Sequence, residues 1–142
     1  GISKITKGII RRRVIGDNFL LIKDKEGSYK RIGSGILQNG HPSFSQDKKW
    51  IVTDTYSDRK HYRELILYNV ESNKKISLGK FYALPEKKYN IEDGWDIGGM
   101  RADLHPRWNR DGTKICFDSV HEGSRQMYVI NVEKVLQEKN TI

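Results

Sequence analysis

Cysteine is almost absent from this chain. Cys116 stands alone among 142 residues, so no intrachain disulfide can staple the fold. Proline occurs only three times, which excludes collagen-like and proline-rich spacer sequences. No apolar run approaches the roughly 20 residues that cross a bilayer as a helix, so no membrane partner is expected. The first residues, Gly1-Ile2-Ser3-Lys4, carry no apolar stretch of the kind a secretion signal needs. The compartment is not readable. Helical apolar periodicity is missing from nearly the whole chain, which excludes a helix bundle. Cys116 lies in the strand-like run Lys114-Ile115-Cys116-Phe117-Asp118 and is read as a small buried hydrophobe, not a nucleophile.

Aromatic residues are plentiful, with seven Tyr, four Phe and three Trp. A chain so supplied can bury a core, and disorder is excluded. The net charge is +8, which opens the chain to anionic partners, an acidic saccharide among them. Arg11-Arg12-Arg13 is the one dense basic run; Lys23-Asp24-Lys25-Glu26 and Asp58-Arg59-Lys60 are mixed. The excess is therefore read as solvating charge, and nucleic acid is not expected as a partner.

The strongest positive signal is an internal repeat. His41-Pro42-Ser43-Phe44-Ser45-Gln46-Asp47 returns as His105-Pro106-Arg107-Trp108-Asn109-Arg110-Asp111. Ile51 to Thr55 then aligns with Ile115 to Ser119, and Leu65 to Glu71 with Met127 to Glu133 after a gap of two. Repeats of this length mark arrays of supersecondary units, each covering its neighbour's apolar face. Strands are expected at 43–45, 50–54, 64–69 and 75–78 in the first copy, and at 106–108, 114–118 and 126–132 in the second. Turn chemistry at Gln46-Asp47-Lys48-Lys49 matches Arg110-Asp111-Gly112-Thr113. A hairpin is expected over 18–32, and residues 133–139 read as a short helix or an unpaired last strand.

Four short antiparallel strands per unit is the pattern of a β-propeller blade. The fold class is all-β: a propeller fragment with two four-stranded antiparallel blades and a partial N-terminal one. It divides into a partial blade over 1–39, a blade over 40–80, an inter-blade insertion over 81–102, and a blade with C-terminal tail over 103–142. Two blades and a hairpin cannot close a ring that needs about 4–8. The missing blades are expected from a longer polypeptide, of which this would be a piece, or from self-association.

The residues His-Pro-x-aromatic-x-x-Asp-Gly, Lys-Ile-x-Phe-Asp-Ser and Gly-Ser-Arg-Gln-Met-Tyr-Val resemble the repeat of TolB-type propellers, a WD-type blade pattern. They are also similar to the repeat of oligogalacturonate lyases. The resemblance covers 40–79, 103–133 and, as a partial blade, 9–33. The first copy differs in carrying Lys48 where the turn glycine is usual.

Blade topology gathers His41, Asp54, Tyr56, His61, Trp95, Arg101, Asp103, His105, Asp118, His121 and Arg125 on the loop face, where propellers hold ligands. Alternation puts Arg101, Asp103 and His105 on one side of an extended segment. That trio suits a metal or an acidic sugar, and an inter-blade salt bridge is its structural alternative. The ligand-binding candidates are Arg101, Asp103, His105, Asp118, His121, Arg125 and, as a stacking platform, Trp95; no catalytic residue is assigned. Asp54 and Asp118 are expected to accept backbone N–H groups from their own loops. His41 and His105, being repeated, are expected to fix blade against blade. Trp50 and Trp108 are placed in the core between blades.

Two functions follow as expectations. The first is a non-catalytic propeller module that binds a ligand or partner, with carbohydrate as one class. The second, implied by the lyase resemblance, is a carbohydrate-active enzyme with His105 and His121 holding a divalent metal, Mn²⁺ or Ca²⁺, and Arg101 or Arg125 neutralising a uronate.

Overall fold

The structure, a computed structural model, describes residues 17–23, 25, 27–83 and 102–137, with only the backbone of 17–23 and 30. The first sheet is the hairpin β1 (Asp17–Lys23) and β2 (Ser28–Ser34), with Phe19 opposite Ile32. The second is a four-stranded meander, β3 (Ser43–Phe44), β4 (Trp50–Asp54), β5 (Tyr62–Asn69) and β6 (Lys75–Tyr82). The third runs β7 (Arg107–Trp108), β8 (Lys114–Ser119) and β9 (Gln126–Asn131), followed by the helix α1 (Glu133–Gln137). Every pairing between these strands is antiparallel.

The expected strands are found at nearly their expected bounds, and the ambiguous C-terminal segment is the helix. Two differences matter. The fourth strand continues to Tyr82, because Phe81 and Tyr82 pair with Arg63 and Tyr62 after a register shift between Leu65 and Ile66. The second repeat shows three strands among the described residues, where four were expected.

The turns before β4 and β8 are built alike. Asp47 Oδ1 accepts from Ser45 Oγ at 2.6 Å and from the Lys49 N–H at 3.1 Å. Asp111 Oδ1 accepts from Asn109 Nδ2 at 2.6 Å and from the Thr113 N–H at 3.0 Å. Hydrogen bonding holds both carboxyls below the ordinary carboxylate value, led by the Ser45 hydroxyl at Asp47 and, at Asp111, by the Thr113 hydroxyl, which also donates to Oδ1. Lys48 adopts φ +60° where its counterpart Gly112 has +73°. The turn geometry is thus kept without its glycine, at the steric cost that a left-handed L-residue carries.

Strand alternation gives the middle sheet two buried faces. Ile51, Ile66 and Tyr68 pack toward Ile32 of β2 and Ile36 just beyond it. Trp50, Val52, Leu65 and Leu67 pack the other way, against Leu104, Ile115, Phe117 and Val132 of the second repeat. Trp108 lines this cluster, and its indole N–H reaches the Ser43 carbonyl at 3.1 Å, so one first strand is tied to the other. The tryptophans are inter-sheet core, as expected. Cys116 is not: it lies partly exposed on the opposite side of β8.

Candidate functional site

The two repeats meet at their first strands, and one carboxylate holds the junction. Asp54 ends β4 and is 1% exposed. Its Oδ1 accepts the His41 N–H at 2.7 Å and its Oδ2 accepts the His105 N–H at 3.1 Å. The His41 imidazole adds Nδ1 contacts to both oxygens at 3.0 and 3.1 Å. Asp54 was expected to serve its own loop; instead it serves the residues that lead into β3 and β7. The reason is the approach of Gly40 to β4. A Cβ at Gly40 would fall onto the Asp54 carbonyl oxygen and lie 2.9 Å from Oδ1.

His105 sits at φ +39°, a left-handed conformation that a residue with a side chain rarely takes. There its ring lies against that of His41, tilted by 30° with centroids 3.7 Å apart. Both histidines therefore do join sheet to sheet, but through Asp54 as intermediary. Tyr56 borders the pair, 6.3 Å from the His41 ring.

Asp103 completes the group. One ligand atom each from His41, Asp103 and His105 lies within 4.8 Å of the others. Arg63 of β5, 4% exposed, holds Asp103 through Nη1–Oδ1 at 2.6 Å. The contact is a close charge pair and not an aligned hydrogen bond, since neither Arg63 Nε or Nη1 nor Asp103 Oδ1 has a partner of good geometry. It is an inter-sheet salt bridge, the structural alternative set beside Asp103 from sequence.

The remaining expected residues lie elsewhere. Asp118 does not bind its own loop's backbone through its side chain. Its Oδ2 sits 3.4 Å from Arg107 and 3.9 Å from Arg125, both half exposed or more. His121 joins a ring cluster, 5.2 Å from Phe81 and 4.5 Å from Tyr128, with Nδ1 2.8 Å from Ser119 Oγ. Glu122 accepts from the Tyr128 hydroxyl at 2.9 Å. Burial, and then that carboxylate, raise the Tyr128 phenol above its ordinary value. His105 is thus grouped with His41 and Asp103, while His121 belongs to an aromatic cluster. Arg101 and Trp95 lie outside the described residues.

Reading the sequence did not single out Arg63, and it placed His41 on the loop face without counting it among the ligand-binding candidates. Arg63 in the apolar strand Glu64-Leu65-Ile66-Leu67 was a usable signal, because a cation beside such a run needs a buried partner.

No family model matches the chain, and no curated protein matches it in sequence. Among solved structures it is similar to TolB from Acinetobacter baumannii, with a TM-score of 0.58 at 20% identity over 79% of this chain. The match spans 23% of the TolB chain. At that identity the likeness shows the fold: the described sheets have the architecture of part of a TolB-like β-propeller.

Proposed function

We propose that this chain is a non-catalytic binding module of propeller type. Its ligand site is the junction of the repeats, where His41, Asp103 and His105 hold a divalent metal that in turn anchors an acidic ligand such as a uronate-bearing saccharide. The observation that carries this reading is the convergence of two imidazoles and one carboxylate, with His41 oriented from behind by Asp54 and Asp103 by Arg63.

The orientation is chemically apt. An ionised Asp54 can only accept, so the His41 ring proton sits on Nδ1 and Nε2 keeps its lone pair for a metal. A carboxylate behind a ligating histidine is the usual support in metal sites. Asp103 is held through one oxygen by the Arg63 charge pair, leaving Oδ2 to ligate. Two imidazoles with one carboxylate suit a first-row transition metal and not Ca²⁺, which takes oxygen donors. Ligands about 2.1 Å from one ion lie at most about 4.2 Å apart, so closing on a metal needs shifts of only tenths of an ångström. With three protein ligands, positions stay open for a ligand carboxylate, and the chain's +8 charge favours its approach.

Calorimetry with Zn²⁺ and Mn²⁺ alone tests the site. One ion per chain should bind, weakening at least about tenfold in His105→Ala and in Asp103→Asn. Absence of binding to the intact chain would sink the proposal. An oligogalacturonate added with Mn²⁺ should bind without chemical change. New ultraviolet absorbance from an unsaturated product would transfer the same site to the lyase reading.

A further inference from the structure

The loop that joins β4 to β5, residues 55–61, differs from its counterpart at 120–125 in length and in sequence. Strands that repeat are architecture, whereas a loop that departs from its repeat is free to carry a job. This loop is braced. Asp58 Oδ1 accepts the Lys60 N–H at 2.8 Å and the Tyr62 N–H at 2.9 Å, and the Asp58 N–H reaches the Tyr62 carbonyl at 2.9 Å. At its base Thr55 Oγ1 accepts the Glu64 N–H at 2.9 Å, and the His61 carbonyl accepts the Ala83 N–H at 2.6 Å. From this frame Tyr56 is presented 47% exposed beside His41, their ring planes crossed at 67°. A phenol so placed packs little core, and its open ring surface adjoins the metal ligands. Arg59 and Lys60 of the same loop, and Lys80 of β6 beside Asp58, are exposed cations.

We infer that Tyr56 makes the site select an oligosaccharide over a single sugar, by stacking the unit next to the uronate that the metal anchors. This rests on the metal-and-uronate reading of the junction. The C–H face of a pyranose is apolar and weakly positive, and the face of a phenol ring is weakly negative, so the two attract in a stack. Tyrosine offers that area at small entropic cost, since only two χ angles must be fixed. The Tyr56 ring centroid lies 6.3 Å from that of His41, a span comparable to one sugar ring and so suited to the neighbouring unit. Arg59 and Lys60 continue the loop and meet the carboxylates of further units.

Calorimetry on the Mn²⁺-loaded chain with mono-, di- and tetragalacturonate decides this. The disaccharide should bind at least about tenfold tighter than the monosaccharide, the worth of one aromatic stack. Tyr56→Ala should erase that gain and Tyr56→Phe should keep it, because the ring face is what binds. Arg59→Ala with Lys60→Ala should weaken the tetrasaccharide more than the disaccharide. Since Tyr56 is a half-exposed loop residue, its variants should keep the circular dichroism of the wild type. Equal affinity for mono- and disaccharide overturns the inference, as does a Tyr56→Ala variant that keeps the gain. So does loss of Mn²⁺ affinity in Tyr56→Ala, which would put the phenol in the metal's own shell. A single-stranded oligonucleotide of equal charge that binds as tightly as the tetrasaccharide overturns it too, by showing that charge alone is read. If Mn²⁺ itself does not bind, the site and this inference fall together. If Mn²⁺ and the monosaccharide bind without further gain, this inference falls alone.

Discussion

Replacing Gly40 by alanine puts one methyl group against the residue that joins the two repeats. The new Cβ would overlap the Asp54 carbonyl oxygen, lie 2.8 Å from its carbon and 2.9 Å from Oδ1. The first two atoms are backbone and Oδ1 is fixed by the His41 N–H and imidazole, so β4 or the segment before β3 must move by about an ångström. Forcing a methyl into such a contact costs about 1–3 kcal/mol. The displacement also pulls Oδ1 away from the His41 N–H. Losing one hydrogen bond to a buried carboxylate adds about 1.5–3 kcal/mol. The sum, about 2.5–6 kcal/mol, is a large share of the roughly 5–15 kcal/mol that holds a domain folded. Urea unfolding followed by tryptophan fluorescence measures it. The route is checked by a double-mutant cycle with Asp54→Ala: if damage passes through the carboxylate, the two losses are strongly sub-additive. A loss under about 1 kcal/mol for Gly40→Ala, or full additivity in the cycle, would refute the reasoning.

Other outcomes follow from the turns and the histidine pair. The carboxyls of Asp47 and Asp111 are lowered in the folded chain. Their contribution is therefore complete above the unfolded value of about 3.9 and disappears as pH falls through the lower folded values. Stability should be flat from pH 7 to about 5 in these groups and decline below about 4, and Asp47→Asn with Asp111→Asn should flatten that decline in urea midpoints. His105→Gly relieves a left-handed backbone at φ +39°, so stability should hold or rise by up to about 1 kcal/mol while metal affinity disappears. A fall of more than about 2 kcal/mol, read by thermal unfolding, would make the imidazole architectural instead.

The sheets were legible because period-two alternation, turn residues and a repeated His-Pro motif agree over the same stretches. The junction was half legible. Repetition singled out His41, Asp54, His105 and Asp118, but it could not say that equivalent residues do different jobs. Asp54 bridges two units because a neighbour arrives beside it, and Asp118 meets arginines because Arg107 and Arg125 flank it, where the first repeat has Ser43 and Arg63. Such a difference depends on what lies next door in space. Asp103 was flagged as a salt-bridge former, yet its partner is 40 positions away on a strand that reads as apolar. Cys116 was misjudged for a related reason: alternation marks a face as apolar without telling whether anything covers it.

The dual attachment of Asp54 has a consequence for how the chain comes apart. In modular repeat arrays each unit can fray on its own, with only the contact between neighbours resisting. Here, detaching the second repeat would strand a negative charge at the heart of the first, stripped of one of its two main-chain donors. Partial melting is thereby penalised, and hydrogen exchange should reveal β4 and the His105 amide opening together as one event.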